Sequence, residues 1–302
     1  MAKIIHVAVG STTSKPGDVA GNLRQIAAFA AQAGKDGVDI LLTPELSATG
    51  YGGYDDVVAT AEAAGKGPIY RELAVMAKTN NVAVCAGFAE LNGDKRHLAH
   101  YAVFPDGSFV VQRKHRVTRV ELPLAEPFEL VPEPNEKDPA IRGQPVKVEF
   151  NYFEVRGVRC AISICADGGI TNLGEIFAKA GVELLLGPAG AGGRIEERVH
   201  TADLQTEDGR GKYLKLLEMV FFPGRGVTDC IKYGRALAAV NMCGYDGRKF
   251  AHLGHGMIIT PMGEVPAFFH GIPNLDRQRP MYAHAAIDVA ERVVQNGTGR
   301  LA

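Results

Sequence analysis

The feature that most constrains this chain is an apolar segment that ends at a cysteine followed by a glycine-rich turn. Residues Cys160 to Ile164 are apolar or small and predict a fully buried strand. Cys165 follows at the strand end, and Asp167-Gly-Gly169 predicts a sharp turn before a helix from Leu173 to Ala180. A nucleophile at such a corner is held rigidly, near backbone N–H groups that can receive an oxyanion. The position suits a catalytic cysteine, although a small buried cysteine gives the same local pattern.

Composition and charge indicate the general class of protein. The chain has 302 residues, of which 46% are hydrophobic and 22% charged, as in soluble globular proteins. A formal net charge of -1 gives no electrostatic basis for a nucleic-acid or anionic-membrane partner. No apolar run approaches the roughly 18 residues of a membrane span, and the N-terminus leads into a strand rather than a signal peptide. We therefore expect a cytoplasmic protein that binds neither nucleic acid nor membrane.

The cysteines bear on redox state and metal binding. They are widely spaced and lack any C-x-x-C pair: Cys85, Cys160, Cys165, Cys230 and Cys243. An odd, scattered set argues against a disulfide framework or a zinc site and for a reducing compartment. We expect neither a metal nor an organic cofactor.

The predicted elements alternate between strand and helix. The first half is predicted to contain Lys3–Val9, Asn22–Ala33, Val38–Thr43, Pro68–Thr79, Val82–Ala89 and a hairpin around Pro105-Asp-Gly107. The second half is predicted to contain a hairpin around Arg156-Gly157, then strands at Val182–Leu186, Ala236–Asn241, Gly254–Thr260 and Met281–Val289. No linker or short-period repeat is present, so we expect residues 1–302 to form a single domain. The order suggests two packed sheets with helices outside, although one doubly wound sheet would fit the same composition.

Three ionisable or reactive residues fall at the same kind of position. Glu45, Lys114 and Cys165 each lie where a predicted strand ends. If those strands are neighbours, the three side chains converge at one edge of the sheets. A carboxylate beside a thiol can take its proton, and an ammonium can neutralise a developing oxyanion.

At these residues the chain resembles the nitrilase superfamily of carbon–nitrogen hydrolases, whose catalytic triad is Glu, Lys and Cys. Leu42-Thr-Pro-Glu45-Leu-Ser-Ala-Thr-Gly-Tyr51 is similar to the family's P-E-x-x-x-T-G-Y, and Gln112-Arg-Lys114-His115 to its R-K-x-H. Ile164-Cys165-Ala-Asp167, followed by Gly181 to Ala189, is similar to its C-x-D … A-G-A-E-L-L-x-x-P-A. The segments 240–244 and 254–263 also agree, so that the resemblance extends over residues 5 to 290.

The resemblance implies an α/β fold, a four-layer αββα sandwich of two mixed β-sheets flanked by helices. It further implies attack by Cys165 on an amide or nitrile carbon, with Glu45 as general base. Lys114 and the backbone N–H of Ala166 would stabilise the oxyanion. The expected substrate is a small or medium neutral carboxamide, and we expect a homo-oligomer, a dimer or higher. A nitrilase or an N-carbamoyl-amide hydrolase is the alternative within the class, and a non-catalytic ligand-binding protein is the alternative outside it.

Further site residues follow from the same resemblance. Many family members carry a second glutamate near the substrate, and Glu126 in Ala125-Glu-Pro-Phe128 matches that position best, with Glu121 and Glu129 nearby. We expect a structural role for His115. The candidates for substrate binding are Tyr51, Tyr54, Asp167, Pro188 and Ala189.

The sequence departs from the family after Cys165. Where many members have Arg-Phe-Pro-Glu, this chain has Gly169-Ile-Thr-Asn172, so the segment offers no arginine to grip a substrate carboxylate. Arg116, Arg119, Arg194 or another subunit could supply one instead. The segment 194–234 is longer than usual, and we expect a lid or a subunit contact there.

Overall fold

The computed structural model describes residues 2–125, 129–131, 143–194, 201–220, 224–248, 250–271 and 279–292. Within these residues two six-stranded mixed sheets pack face to face, with helices on both outer surfaces. The predicted four-layer αββα sandwich is therefore confirmed, and the doubly wound single sheet is not what forms.

The first sheet has the strand order β17-β1-β2-β3-β4-β5. Its members are β1 (Ile4–Ser11), β2 (Ile40–Leu42), β3 (Ala83–Asn92), β4 (Lys95–Val103), β5 (Phe109–Arg113) and β17 (Met281–Asp288). The first three strands run parallel, whereas β4, β5 and β17 join by antiparallel pairing.

The second sheet has the order β16-β15-β12-β10-β9-β8. Its members are β8 (Tyr152–Val155), β9 (Val158–Ile162), β10 (Leu184–Ala189), β12 (Ala236–Asn241), β15 (His255–Ile259) and β16 (Ala267–His270). Here β9, β10 and β12 run parallel. Each sheet thus places parallel strands at its centre, and the loops after those strands meet at one end.

Smaller strands lie beyond these ends. A three-stranded sheet, which the sequence did not predict, consists of β11 (Gly192–Arg194), β14 (Phe250–Leu253) and β13 (Cys243–Tyr245), in that order. A two-stranded ladder pairs β6 (Leu130–Val131) with β7 (Gln144–Pro145). The hairpin predicted around Arg156-Gly157 forms, and its ladder begins at Tyr152.

The helices are α1 (Val19–Lys35), α2 (Asp55–Val58), α3 (Pro68–Asn80), α4 (Leu173–Lys179), α5 (Glu207–Val220) and α6 (Gly224–Tyr233). Local sequence explains where they begin: Asp18 caps α1 by accepting a bond from the Gly21 amide at 2.8 Å. In the part of the chain that the structure describes, every helix is too short or too polar to cross a membrane.

Three apolar layers hold the sandwich together. Alternate residues of β1 and β9, such as Val7 and Ile162, meet between the two sheets and are fully buried. Leu73 of α3 packs on the outer face of the first sheet, and Phe177 of α4 packs on the second. Burial of each such side chain stabilises the fold by roughly 1.5–3 kcal/mol.

Candidate active site

The three residues predicted at strand ends do meet in the structure. Glu45 and Cys165 each lie three residues beyond β2 and β9, and Lys114 directly follows β5. The Lys114 ammonium donates to Glu45 Oε1 at 2.7 Å, and the Glu45 carboxylate is in hydrogen-bond contact with the Cys165 thiol. Glu45 and Lys114 are buried, whereas Cys165 is partly exposed. One edge of the sandwich therefore brings together a carboxylate, a cation and an accessible thiol.

The loop that carries Glu45 is tightly folded against β3. Leu46 has a φ of +51°, in the left-handed region, and the Ser47 amide donates to the Pro44 carbonyl at 3.1 Å. The loop lies on Gly87, where an added Cβ would come within 2.1 Å of the Leu46 nitrogen. Glycine at that position thus permits the close approach that seats Glu45.

Cys165 occupies a strained corner. Its φ is +49°, a conformation that non-glycine residues rarely adopt, at the start of a 3-10 turn over Cys165–Gly169. The Ser163 amide donates to the Leu186 carbonyl at 2.9 Å, so that pairing with β10 continues almost to the corner. Such outliers persist only where the surroundings enforce them, and they are frequent at active sites.

Asp167 joins the cysteine turn to the segment after β5. Its buried carboxylate accepts bonds from the backbone amides of His115 at 3.0 Å and Arg116 at 2.8 Å. The His115 Nδ1 atom lies 3.3 Å from the same carboxylate. Asp167, which was expected among the substrate-binding residues, thus connects the Cys165 turn to the backbone next to Lys114, and His115 takes part in that connection.

A second buried carboxylate contacts the same lysine. Glu121 accepts bonds from the Lys114 ammonium on both oxygens at 2.8 Å, from the Tyr51 hydroxyl at 2.8 Å and from the Thr118 amide at 2.8 Å. Of the candidates for the second glutamate that the structure describes, Glu121 contacts Lys114 and Glu129 is exposed. The best sequence match, Glu126, lies outside the described residues.

One backbone peptide contacts both the carboxylate and the thiol. The Gly190 amide, just after β10, donates to Glu45 Oε2 at 2.9 Å and also hydrogen-bonds the Cys165 sulfur. An added Cβ at Gly190 would come within 2.4 Å of the Tyr51 ring. The Gly190 carbonyl oxygen lies 3.0 Å from His252 Nδ1. Neither Gly190 nor His252 was predicted from the sequence, although a glycine directly after the P-A of the family motif was an available signal.

Burial sets the protonation states at the site. Burial, opposed by Lys114 and reinforced by Glu121, raises the pKa of Glu45 to about 7. Burial alone would lower the pKa of Lys114, but Glu121 and Glu45 reverse this and hold it well above its ordinary value. Burial and the Glu45 charge raise the pKa of the Cys165 thiol. At neutral pH the thiol therefore keeps its proton, and Glu45 is the adjacent group that can accept it.

The remaining predicted contacts lie around this centre. The Tyr54 hydroxyl donates to Asp246 at 3.0 Å, and the Arg248 guanidinium lies 4.3 Å above the Tyr54 ring centre. Pro188 is buried and Ala189 partly exposed at the end of β10, while Ala166 is partly exposed beside Cys165. Within the described residues, no group of His, Cys, Asp and Glu side chains could hold a metal ion.

An arginine does reach the cysteine turn, although the sequence after Cys165 contains none. An added Cβ at Gly169 would lie 2.1 Å from Arg116 Nη1, and that nitrogen donates to the Ala166 carbonyl at 3.4 Å. A guanidinium therefore lies at the cysteine turn although the segment after Cys165 offers none. The absent side chain at Gly169 makes room for an arginine from the segment after β5, one of the sources considered above.

Comparisons with known proteins identify the family of this chain. The family model described as carbon-nitrogen hydrolase matches residues 6–270. No curated protein matches the sequence.

Solved structures share the fold. An amidase from Nesterenkonia sp. has a TM-score of 0.70 at 18% identity, over 95% of this chain and 91% of that one. A mutant of the same organism's amidase in complex with butyramide has a TM-score of 0.68 at 17% identity, over 95% and 92% of the two chains. XC1258 from Xanthomonas campestris, a CN-hydrolase superfamily protein with an arsenic adduct in its active site, has a TM-score of 0.67 at 16% identity, over 95% and 91%. With the family model matching most of its length, this chain belongs to the carbon-nitrogen hydrolase family, within the nitrilase superfamily.

Proposed function

We propose that the protein hydrolyses a small or medium neutral carboxamide through a thioester on Cys165 and releases ammonia or an amine. The observation that carries this proposal is the double contact of Glu45, which touches both the Cys165 thiol and the Lys114 ammonium. A general base in contact with its nucleophile and with a cation is the arrangement that acyl transfer requires.

The chemistry proceeds in two halves. In the first, Glu45 takes the thiol proton while the sulfur of Cys165 attacks the carbonyl carbon, and the oxyanion forms near Lys114 and the Ala166 amide. The C–N bond then breaks as Glu45 returns the proton to the leaving nitrogen. In the second half, Glu45 takes a proton from water, which attacks the thioester, and the sulfur leaves with that proton.

Glu121 allows Glu45 to act as the proton carrier. Two carboxylates share one ammonium, so that the three groups carry one excess negative charge when both are ionised. A proton on Glu45 removes that excess, while Lys114 keeps its bonds to Glu121. With Glu45 neutral and Lys114 paired with Glu121, the Cys165 thiolate that forms is the one unpaired charge, and Lys114 lies beside it.

The same excess of negative charge favours a neutral substrate. A substrate carboxylate near Glu45 and Glu121 would meet like charge in a partly buried pocket, which is costly. The neutral ligand butyramide, bound to the mutant amidase of similar fold, supports an amide of this kind.

A carboxylate-bearing amide or N-carbamoyl compound is the second candidate. The position of Arg116 against Gly169 and beside the Ala166 carbonyl favours it, because a planar guanidinium can hold a carboxylate with two hydrogen bonds.

The test is a panel of neutral amides, their carboxylate-bearing analogues, nitriles and N-carbamoyl compounds, assayed for ammonia release with the parent protein and with Cys165→Ala. Turnover of neutral amides by the parent alone supports the proposal. Preferred turnover of nitriles or acids overturns the substrate assignment, and a folded parent that turns over no member favours a ligand-binding role.

A further inference from the structure

Both backbone polar groups of Gly190 make contacts at the site. Its N–H group donates to Glu45 Oε2 at 2.9 Å and contacts the Cys165 sulfur, and its carbonyl oxygen lies 3.0 Å from His252 Nδ1. Because a carbonyl can only accept, Nδ1 must carry the proton and donate. The backbone of this one residue therefore connects His252 to the base and the nucleophile.

His252 is well placed to hold this peptide still. It lies on the central strand of the three-stranded sheet, opposite Gly192 on β11 and Gly244 on β13. Its side chain is 1% exposed. The imidazole edge packs on the Tyr51 ring at 5.5 Å between ring centres and 87° between planes. Neighbours on three sides thus fix the direction of the Nδ1–H bond.

Gly190 needs such an anchor. Glycine has the widest choice of backbone conformations of any residue, and a side chain is excluded here by the Tyr51 ring. The N–H group and the carbonyl of Gly190 belong to adjacent peptide planes, which are joined only by the φ and ψ torsions of this residue. A bond that fixes the carbonyl oxygen therefore limits these torsions and, with them, the direction of the N–H group. Loss of the His252 bond would let both groups turn away from their partners.

We propose that His252 is a positioning residue, which acts through the Gly190 peptide to hold Glu45 and Cys165 in reacting geometry. The inference rests on the proposed function, since it concerns the same base and nucleophile. The His252 imidazole is linked to the base through the Gly190 backbone, and the geometry points to the imidazole donor as the group that matters.

Two variants distinguish the loss of the hydrogen-bond donor of His252 from the loss of its packing on Tyr51. His252→Phe keeps an aromatic ring against Tyr51 but removes the donor, whereas His252→Asn places an amide N–H close to the position of Nδ1. We expect His252→Phe to lower kcat by about tenfold or more with KM little changed, and His252→Asn to stay within about threefold of the parent. His284→Phe, at a half-exposed histidine on β17, is the matched control and should behave like the parent.

The pH profile gives a second readout. A hydrogen bond to a carboxylate favours its ionised form, so a loosened Gly190 amide should move the acid limb of kcat/KM to higher pH in His252→Phe. Equal activity and an unchanged acid limb in His252→Phe would overturn the proposal. An Asn variant as impaired as the Phe variant would also overturn it, because packing rather than donation would then explain the loss.

Two measurements are independent of a known substrate. The rate of Cys165 alkylation by iodoacetamide, followed against pH, reports the thiol and its base even if no amide is hydrolysed, so that failure of the proposed function is distinguishable. We expect His252→Phe to slow it and to shift its pH dependence upward; parent-like alkylation would count against His252. Nitrogen NMR of the parent protein should show the Nδ1–H tautomer of His252, and an Nε2–H tautomer alone would overturn the proposal even if every variant fails to fold.

Discussion

Lys114 and Glu121 form a fully buried ion pair in which the ammonium nitrogen lies 2.8 Å from both carboxylate oxygens. The same nitrogen lies 2.7 Å from Glu45 Oε1, so that one cation serves two carboxylates. The pair with Glu121 keeps Lys114 in place when Glu45 takes up a proton. In the proposed mechanism Glu45 therefore carries the protons, while Glu121 stays paired with Lys114.

Glu121→Gln should therefore lose activity in a folded protein. The amide cannot replace the ionic contact with Lys114, and part of the oxyanion stabilisation goes with it, so kcat/KM should fall by about a hundredfold or more. The measurement is ammonia release from the best amide of the panel. Glu129→Gln, at an exposed glutamate eight residues away, is the control and should match the parent. Parent-like turnover by Glu121→Gln would remove Glu121 from the site.

The pH dependence should report Glu45. Its pKa is raised to about 7, and a base acts only when deprotonated, so kcat/KM should increase with pH and level off above that value. The sign follows directly: below about pH 7 the protonated Glu45 cannot accept the thiol proton. Initial rates at low substrate concentration give this profile. An acid limb near the ordinary pKa of glutamate would contradict the raised pKa of Glu45.

Lys114→Arg should lose activity although it keeps the positive charge. The guanidinium is larger and planar, and the lysine site is fully buried between two carboxylates, so the oxyanion contact would be misplaced. We expect kcat/KM to fall by about a hundredfold or more. Lys78→Arg, at an exposed lysine in the last turn of α3, controls for the substitution itself. If Lys114→Arg folds and turns over like the parent, the ammonium has only a structural role.

Arg116 decides between the two substrate candidates. We expect the parent to prefer a neutral amide over its carboxylate-bearing analogue in kcat/KM, because Glu45 and Glu121 leave excess negative charge near the thiol. Arg116→Gln should then weaken turnover of the acid further and change that of the neutral amide by less. A preference of the parent for the acid by about tenfold, lost in Arg116→Gln, would instead support the second candidate.

Much of the fold was predictable because its strands are buried and its turns are marked. The strand at Ala236–Asn241 has the predicted bounds, and α3 ends one residue beyond the prediction. Apolar runs with Gly or Pro at their ends indicate from the local sequence where such elements begin and end. The strands of the three-stranded sheet were missed, since they are short and two of them begin or end in glycine-rich segments.

The site was predictable only in part, for a physical reason. Glu45, Lys114 and Cys165 follow strands, so the sheet order brings them together. Glu121 lies in a turn whose bonds, such as that from the Leu124 amide to the Glu121 carbonyl at 2.8 Å, leave no periodic pattern in sequence. The Arg116 guanidinium lies against Gly169, which is distant in the sequence. The residues around neither position indicate that contact.

Cys165→Ala tests the central claim most directly. The measurement is ammonia release from the best amide by Cys165→Ala, compared with the parent and with Cys230→Ala, which removes a buried thiol elsewhere. With the nucleophile absent, kcat should fall by at least about a thousandfold in a protein that keeps the parent's circular dichroism, while Cys230→Ala stays active. Turnover by Cys165→Ala within about tenfold of the parent would contradict covalent catalysis at this residue.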